Sequence, residues 1–151
     1  MGVFIGYFGT YSVPEEKRAE LAERVLTVVR QGGMMERNWV EMFGLSLPLI
    51  GPPQPKKDGS FSYHYNYFSD ELWEDAGYNA AEGRPWSNKV STRLFGDIEQ
   101  AVYILCEFYS ETFCIAHWDG PIQDGRRYIG WFNYLFDETY INRALERKSL
   151  L

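Results

Sequence analysis

Residues 93–119, RLFGDIEQAVYILCEFYSETFCIAHWD, decide the fold. Up to about Tyr109, apolar residues recur at the three- and four-residue spacing of a helix. An apolar face this wide predicts a central helix that is covered on most of its circumference. Two adjacent rows make up the face, Leu94/Ile98/Ala101/Leu105/Phe108 and Phe95/Val102/Cys106/Tyr109, and Asp97, Gln100, Tyr103, Glu107 and Glu111 form the opposite, polar strip.

At the end of this segment, the spacing of the apolar residues changes. Phe113 to Ala116 is a short apolar run, which predicts a buried strand that follows the helix directly. His117, Trp118 and Asp119 then precede a glycine and a proline. We therefore expect the strand to deliver these three polar or amphipathic side chains to an edge of the sheet.

Composition limits the classes of protein and partner. A chain of 151 residues fits one domain that buries roughly 70 % of its unfolded surface. The net charge of -6 and the scattered basic residues argue against a nucleic-acid partner. No run reaches the roughly 18 apolar residues of a membrane helix, and no leader is evident, so we expect a cytoplasmic protein that does not enter a membrane. Cys106 and Cys114 lie in apolar surroundings and are predicted to be buried free thiols.

Before the central helix, the chain predicts a strand at 3–8 and a helix that starts with a Ser12–Glu15 capping box and stops at Gly32–Gly33. Segments 38–47 and 61–67 have the composition of strands and are expected to pair as a hairpin. A short acidic helix is predicted at 70–76, within an irregular segment at 69–92. After the central strand, 127–131 is expected to form a short strand, with a C-terminal helix beyond it.

The predicted fold is a single α+β domain over 1–151. Its sheet is mixed or antiparallel with about four or five strands, helices pack on it, and the order is βαββ, insertion, αβ, then a C-terminal helix. This order of elements resembles the ferredoxin-like arrangement. The resemblance covers element order alone and implies no function.

Metal and cofactor sites are not indicated. The two histidines and two cysteines form no recognised metal-binding spacing, and no phosphate-binding loop occurs. A metal site assembled at long range from His64, His117 and a carboxylate such as Asp70, Glu74 or Asp119 is the weaker alternative. We therefore predict no cofactor and no metal.

Catalysis is the second hypothesis. His117 and Asp119 share one face if the strand continues, and the pair could then act as a general base in a small hydrolase or transferase. An acid of the predicted short helix, such as Asp70 or Glu74, is an alternative partner for His117. A solvated acidic helix and an ordinary Asp-Gly turn explain the same residues without catalysis.

The leading hypothesis is a non-catalytic binding protein. Trp, Tyr and Arg are enriched at interaction hot spots, and in this chain they occur with carboxylates in the irregular segment. The predicted surface comprises Trp73, Asp75, Tyr78, Arg84, Trp86, His117, Trp118 and Asp119. A protein partner or a small molecule would bind there, in a role like that of inhibitors and immunity-type proteins that cap a basic partner. Homodimerisation through the same surface is a third hypothesis.

Overall fold

The computed structural model describes residues 4–32, 39–42, 45–48, 54–65, 74–88, 94–118 and 126–137. Three α-helices and seven strands occur in these ranges, so the predicted α+β class is confirmed. In chain order the elements are β1 (Ile5–Gly9), a 3-10 turn (Glu15–Lys17), α1 (Arg18–Gly32), β2 (Trp39–Met42), β3 (Leu45–Pro48), β4 (Phe61–Tyr65), β5 (Glu74–Asn79), β6 (Arg84–Ser87), α2 (Leu94–Tyr109), β7 (Cys114–Trp118) and α3 (Arg126–Phe136).

All strand pairs in the described ranges are antiparallel. β1 pairs with β7, β2 with β3, and β5 lies between β4 and β6. The sheets therefore have two or three strands each, fewer than the four or five predicted. The predicted hairpin between segments 38–47 and 61–67 is wrong, because the first segment folds back on itself and β4 pairs with β5. Met42 lies opposite Leu45, so two residues separate β2 from β3, the commonest hairpin spacing.

The central helix is confirmed, and so is the strand that follows it. Every side chain from Ile98 to Glu107 is buried in α2. The predicted polar strip is therefore not a solvated face. Gln100 and Glu107 of this strip are buried because the core supplies polar partners: Tyr128 donates a hydrogen bond to Gln100 Oε1 at 3.0 Å, and the Ala116 N–H donates to Glu107 Oε1 at 2.7 Å. Glu111, beyond the end of α2, is exposed.

The first helix is present, but its predicted capping box is wrong. α1 begins at Arg18 after the 3-10 turn, where the Lys17 N–H donates to the Pro14 carbonyl at 3.0 Å. The Ser12 hydroxyl instead donates to Glu111 Oε1 at 3.3 Å, and the Ser12 N–H donates to Ser110 Oγ at 3.2 Å. The pairing of β1 with β7 brings the loop that precedes β7 beside Ser12, and this tertiary contact replaces the local one.

Two further predictions are corrected. The residues assigned to a short strand at 127–131 belong to α3, which buries Tyr128, Ile129 and Phe132 at helical spacing. Glu74, Asp75 and Ala76 were expected to end a short helix, yet they begin β5. Within the described ranges, no helix is both long and apolar enough to cross a membrane.

Candidate binding surface

The segment predicted to be irregular contains an ordered β-hairpin, formed by β5 and β6. Along β5 and β6 the side chains alternate between two faces of the sheet. Ala76, Tyr78 and Pro85 are buried on the inner face, whereas Trp86 is exposed on the outer one. The hairpin thus belongs to the core on one side and forms protein surface on the other.

Three hydrogen bonds hold this hairpin against the start of α1 and the segment that precedes it. Arg18 Nη1 donates to the Ala81 carbonyl at 2.5 Å, and the Tyr11 hydroxyl donates to the Gly83 carbonyl at 2.5 Å. The Tyr78 hydroxyl donates to the Arg18 carbonyl at 3.0 Å. Gly83 has a φ of +63°, a conformation that favours glycine, and a Cβ there would lie 2.8 Å from Arg18 Cγ. The turn and the helix start therefore form one fixed unit.

Trp86 lies across the middle of the outer face. Its register partner on β5 is Gly77, and a Cβ on Gly77 would lie 2.8 Å from Trp86 Cζ2 and would also overlap the Phe61 carbonyl. The indole therefore packs directly over the backbone of Gly77, which is itself buried. Trp86 nevertheless remains 40 % exposed, so much of the ring faces solvent.

Polar residues surround this indole. The register places them on the outer face with Trp86, and we call the whole set the Trp86 face: Ser62, His64, Asp75, Gly77, Asn79, Arg84, Trp86 and Asn88. Within the described ranges, the Ser62 hydroxyl, the Asn88 amide and Trp86 Nε1 make no side-chain hydrogen bond. Asn79 Oδ1 accepts from the Ala81 N–H at 3.0 Å, which orients its amide.

Arg84 lies on the Trp86 face, opposite Asn79 in the register, and is exposed. Its guanidinium carbon is 5.4 Å from the centroid of the Tyr11 ring, in cation–π geometry. Tyr11 stacks on Tyr7 at 4.6 Å, and the Tyr7 hydroxyl donates to the Tyr103 carbonyl on α2 at 2.7 Å. Burial raises the pKa of Tyr103 to about 12. Tyr11, Tyr7 and Tyr103 therefore carry neutral phenols that support Arg84 by packing, and they do not act as acid–base groups.

The predicted site residues do not form one surface. Asp75, Arg84 and Trp86 lie on the β5–β6 hairpin, and His117 lies on β7 in a different sheet. Tyr78 and Trp118 are 1 % and 6 % exposed and belong to the core, so they do not join the Trp86 face, and their predicted binding role stays a prediction. Trp73 and Asp119 lie outside the described residues, and their predicted role stays a prediction.

His117 is part of an aromatic contact on the outer face of the β1–β7 pair. Its ring stacks on Phe8 with centroids 4.1 Å apart, and Gly6 lies opposite it in the register. Phe4, Phe8 and Phe113 are exposed on this side of the molecule. The contact explains the position of the imidazole by packing.

The structure adds Ser62, His64, Gly77, Asn79 and Asn88 to the surface. One sequence signal for Ser62 and His64 was available, because both alternate with aromatic residues in β4. The others follow only from the register between strands, which the sequence did not reveal.

The buried carboxyl groups lie away from this surface. Glu99 is 1 % exposed on α2, the Tyr63 hydroxyl donates to its Oε1, and burial raises the pKa of the Glu99 carboxyl well above its usual range. No group of three His, Cys, Asp or Glu side chains in the described part of the chain is placed to hold a metal ion.

Comparison with protein-family models, with curated proteins and with solved structures gave no match to this chain. The geometry and chemistry of the Trp86 face are therefore the observations from which we infer a function.

Proposed function

We propose that this protein is a non-catalytic binding protein that engages its partner through the Trp86 face. One observation carries the proposal: Trp86 keeps 40 % of its surface in solvent although it sits on a sheet that is fixed to α1. A large aromatic side chain on a rigid support is a typical anchor, because little conformational freedom is lost when a partner binds.

A purely structural role explains Trp86 less well. A tryptophan that closes the edge of a core is expected to be buried, as Trp118 is at 6 % exposure. Gly77 provides the space for the indole, so the sheet accommodates the ring on its outer side rather than drawing it inward. The arrangement favours presentation of the ring to solvent.

The edge of β6 is a poor alternative site. The Asn88 N–H donates to the Asp75 carbonyl at 2.9 Å, and hydrogen-bonded pairs alternate along antiparallel strands. The nitrogen of Pro85 therefore points away from β5, to the side where an added strand would need a donor. Proline at this position disfavours strand addition, so a partner is expected on the face of the sheet.

Matched aromatic variants test the proposal. Wild type, Trp86→Ala and Tyr134→Ala are immobilised, and the protein and ligand species that they retain from a cell extract are quantified. Tyr134 is the control because it is an 84 % exposed aromatic residue on α3. Loss of an anchor of about 2 kcal/mol weakens binding roughly 30-fold, so we expect a species kept by Tyr134→Ala and lost by Trp86→Ala. Equal retention by all three, or no retention above bare resin, would contradict the proposal.

The competing proposal is a small hydrolase or transferase that uses His117. His117 is half-buried and stacked on Phe8, and its predicted partner Asp119 lies outside the described residues. A pH-dependent activity that His117→Ala abolishes while the fold is retained would replace the binding proposal.

A further inference from the structure

The Trp86 face combines one exposed indole with several polar groups, among them one acidic and one basic side chain, Asp75 and Arg84. Protein interfaces usually bury a cluster of apolar residues at their centre. Trp86 is the one aromatic side chain that the register places on the outer face of β5 and β6, as Gly77 has no side chain and Asp75 and Asn79 are polar. The surface therefore suits a ligand that offers one apolar patch and many hydrogen-bonding groups.

The polar groups beside the indole can both donate and accept hydrogen bonds. A serine hydroxyl and an asparagine amide each do so, which matches a hydroxyl group of a ligand. Ser62 and Asn88 are exposed with no side-chain partner in the described ranges, and Asn79 presents its amide between them and the turn. Their short side chains lose little rotamer freedom on binding.

The small net charge of the Trp86 face also favours an uncharged ligand. Asp75 and Arg84 contribute one charge of each sign to the Trp86 face, and the Arg84 guanidinium also lies over the Tyr11 ring. A face with so little net charge offers no electrostatic reason to favour a highly charged partner, whether nucleic acid or a basic protein surface.

From these observations we infer that the ligand of the Trp86 face is a neutral saccharide. The C–H face of a sugar ring stacks on the exposed indole, and the sugar hydroxyls pair with Ser62, Asn79 and Asn88. The inference rests on the proposed function and names its ligand class. Asn79 and Asn88 lie on either side of the Gly77–Trp86 pair along the hairpin, which favours a segment of a longer glycan over a free monosaccharide, because a single ring leaves one of these amides unused.

The experiment uses an array of neutral and acidic oligosaccharides, probed with the full-length wild type, Trp86→Ala and Tyr134→Ala. Binding of the best neutral oligosaccharide is then measured by calorimetry at low and high salt. We expect Trp86→Ala to weaken binding at least about tenfold and Tyr134→Ala to leave it unchanged. Asn88→Ala, an exposed and conservative change, is expected to weaken it several-fold. Affinity should stay constant with salt, because no ion pair forms.

Three results would overturn the inference: no oligosaccharide bound by the wild type above the level of Trp86→Ala, binding restricted to acidic glycans, or equal affinity of wild type and Trp86→Ala. The extract experiment separates this failure from failure of the proposed function. If Trp86→Ala loses a protein partner while no glycan binds, the ligand class is wrong and the binding function stands. If Trp86→Ala loses nothing in either experiment, both are wrong.

Discussion

Gly77 occupies a point where the Phe61 carbonyl and the Trp86 indole leave no room for a side chain. We expect Gly77→Ala to lower the free energy of unfolding by about 2–4 kcal/mol, since either the backbone or the indole must move. Urea denaturation measures the change. The same variant should weaken ligand binding, because it displaces the ring that the partner contacts.

Gly130 provides the matched control. It lies on the exposed side of α3, and a Cβ there would meet nothing within 4 Å. Gly130→Ala should therefore raise stability by about 0.5–1 kcal/mol, the usual gain in a helix interior. If both variants shift the denaturation midpoint alike, the steric explanation for Gly77 is wrong.

Glu99 makes stability depend on pH. Burial raises the pKa of the Glu99 carboxyl above the usual value of 4.5, so the folded protein keeps Glu99 protonated beside Tyr63 to a higher pH than the unfolded chain does. Its contribution to stability is fully present below about 4.5 and declines as the pH rises toward the raised folded value, because the unfolded chain ionises first. The loss amounts to at most about 1.4 kcal/mol for each pH unit in that window.

Glu99→Gln should abolish this part of the pH dependence while keeping an acceptor for the Tyr63 hydroxyl. Denaturation curves between pH 4 and pH 8 compare wild type with Glu99→Gln and with Glu23→Gln, an exposed control on α1. We expect the Glu99→Gln curve to be flatter and the control to follow the wild type. Parallel curves for all three proteins would show that Glu99 is not protonated in the fold.

Exposure of single aromatic residues was only partly predictable. Trp86 and Tyr78 come from one segment and have similar hot-spot chemistry, yet they differ because alternation along β5 and β6 points them to opposite faces. The sequence of the segment suggested a helix followed by a loop. The two-residue alternation of side chains that is typical of strands was therefore not recognised. Composition therefore could not separate Trp86, which is exposed, from Tyr78 and Trp118, which are buried.

At the scale of elements, the β5–β6 hairpin depends on Arg18. Its guanidinium bridges the Val13 and Ala81 carbonyls, at 3.0 Å from Nε and 2.5 Å from Nη1. Arg18→Met keeps the aliphatic stem that packs on Gly83 and removes both hydrogen bonds. Hydrogen bonds from charged groups contribute about 1.5–3 kcal/mol, so the hairpin should open more readily by an amount of that order.

Hydrogen exchange tests this coupling locally. Amides of β5 and β6 should exchange faster in Arg18→Met, whereas those of β7 should keep most of their protection. Lys17→Met is the control, since Lys17 is a neighbouring exposed cation in the 3-10 turn. Equal exchange of the hairpin in both variants would mean that Arg18 does not anchor it.

Elements with long periodic patterns were predicted well, and short ones were not. α1 and α2 follow from apolar residues repeated over four turns, and β7 from an uninterrupted apolar run. The predicted pairing of segment 61–67 with segment 38–47 was wrong, because local composition does not show which strand lies beside another. The start of α1 was wrong because the loop before β7 engages Ser12, a contact between residues about 100 positions apart.

At the scale of the whole molecule, α2 organises the structure as its sequence indicates, and it does so more completely than expected. Gln100, Tyr103 and Glu107 would normally mark a solvated strip, but here each is buried. Their partners come from α3, β6 and β7, elements that the sequence could not orient relative to α2. The α+β class was thus predictable, whereas the location of the candidate surface required the three-dimensional arrangement.

Cys106 and Cys114 are both buried and unbonded to each other, and burial raises the pKa of the Cys106 thiol. A thiol reagent can therefore reach them only in molecules that have opened. We expect labelling in native buffer to be at least about a thousandfold slower than in denaturant, given ordinary domain stability. Mass spectrometry of the labelled chain measures both rates, and fast native labelling would show that the core opens readily. The two native cysteines thus report on stability, so the variants above can be ranked by their labelling rates in dilute, impure samples without an engineered cysteine.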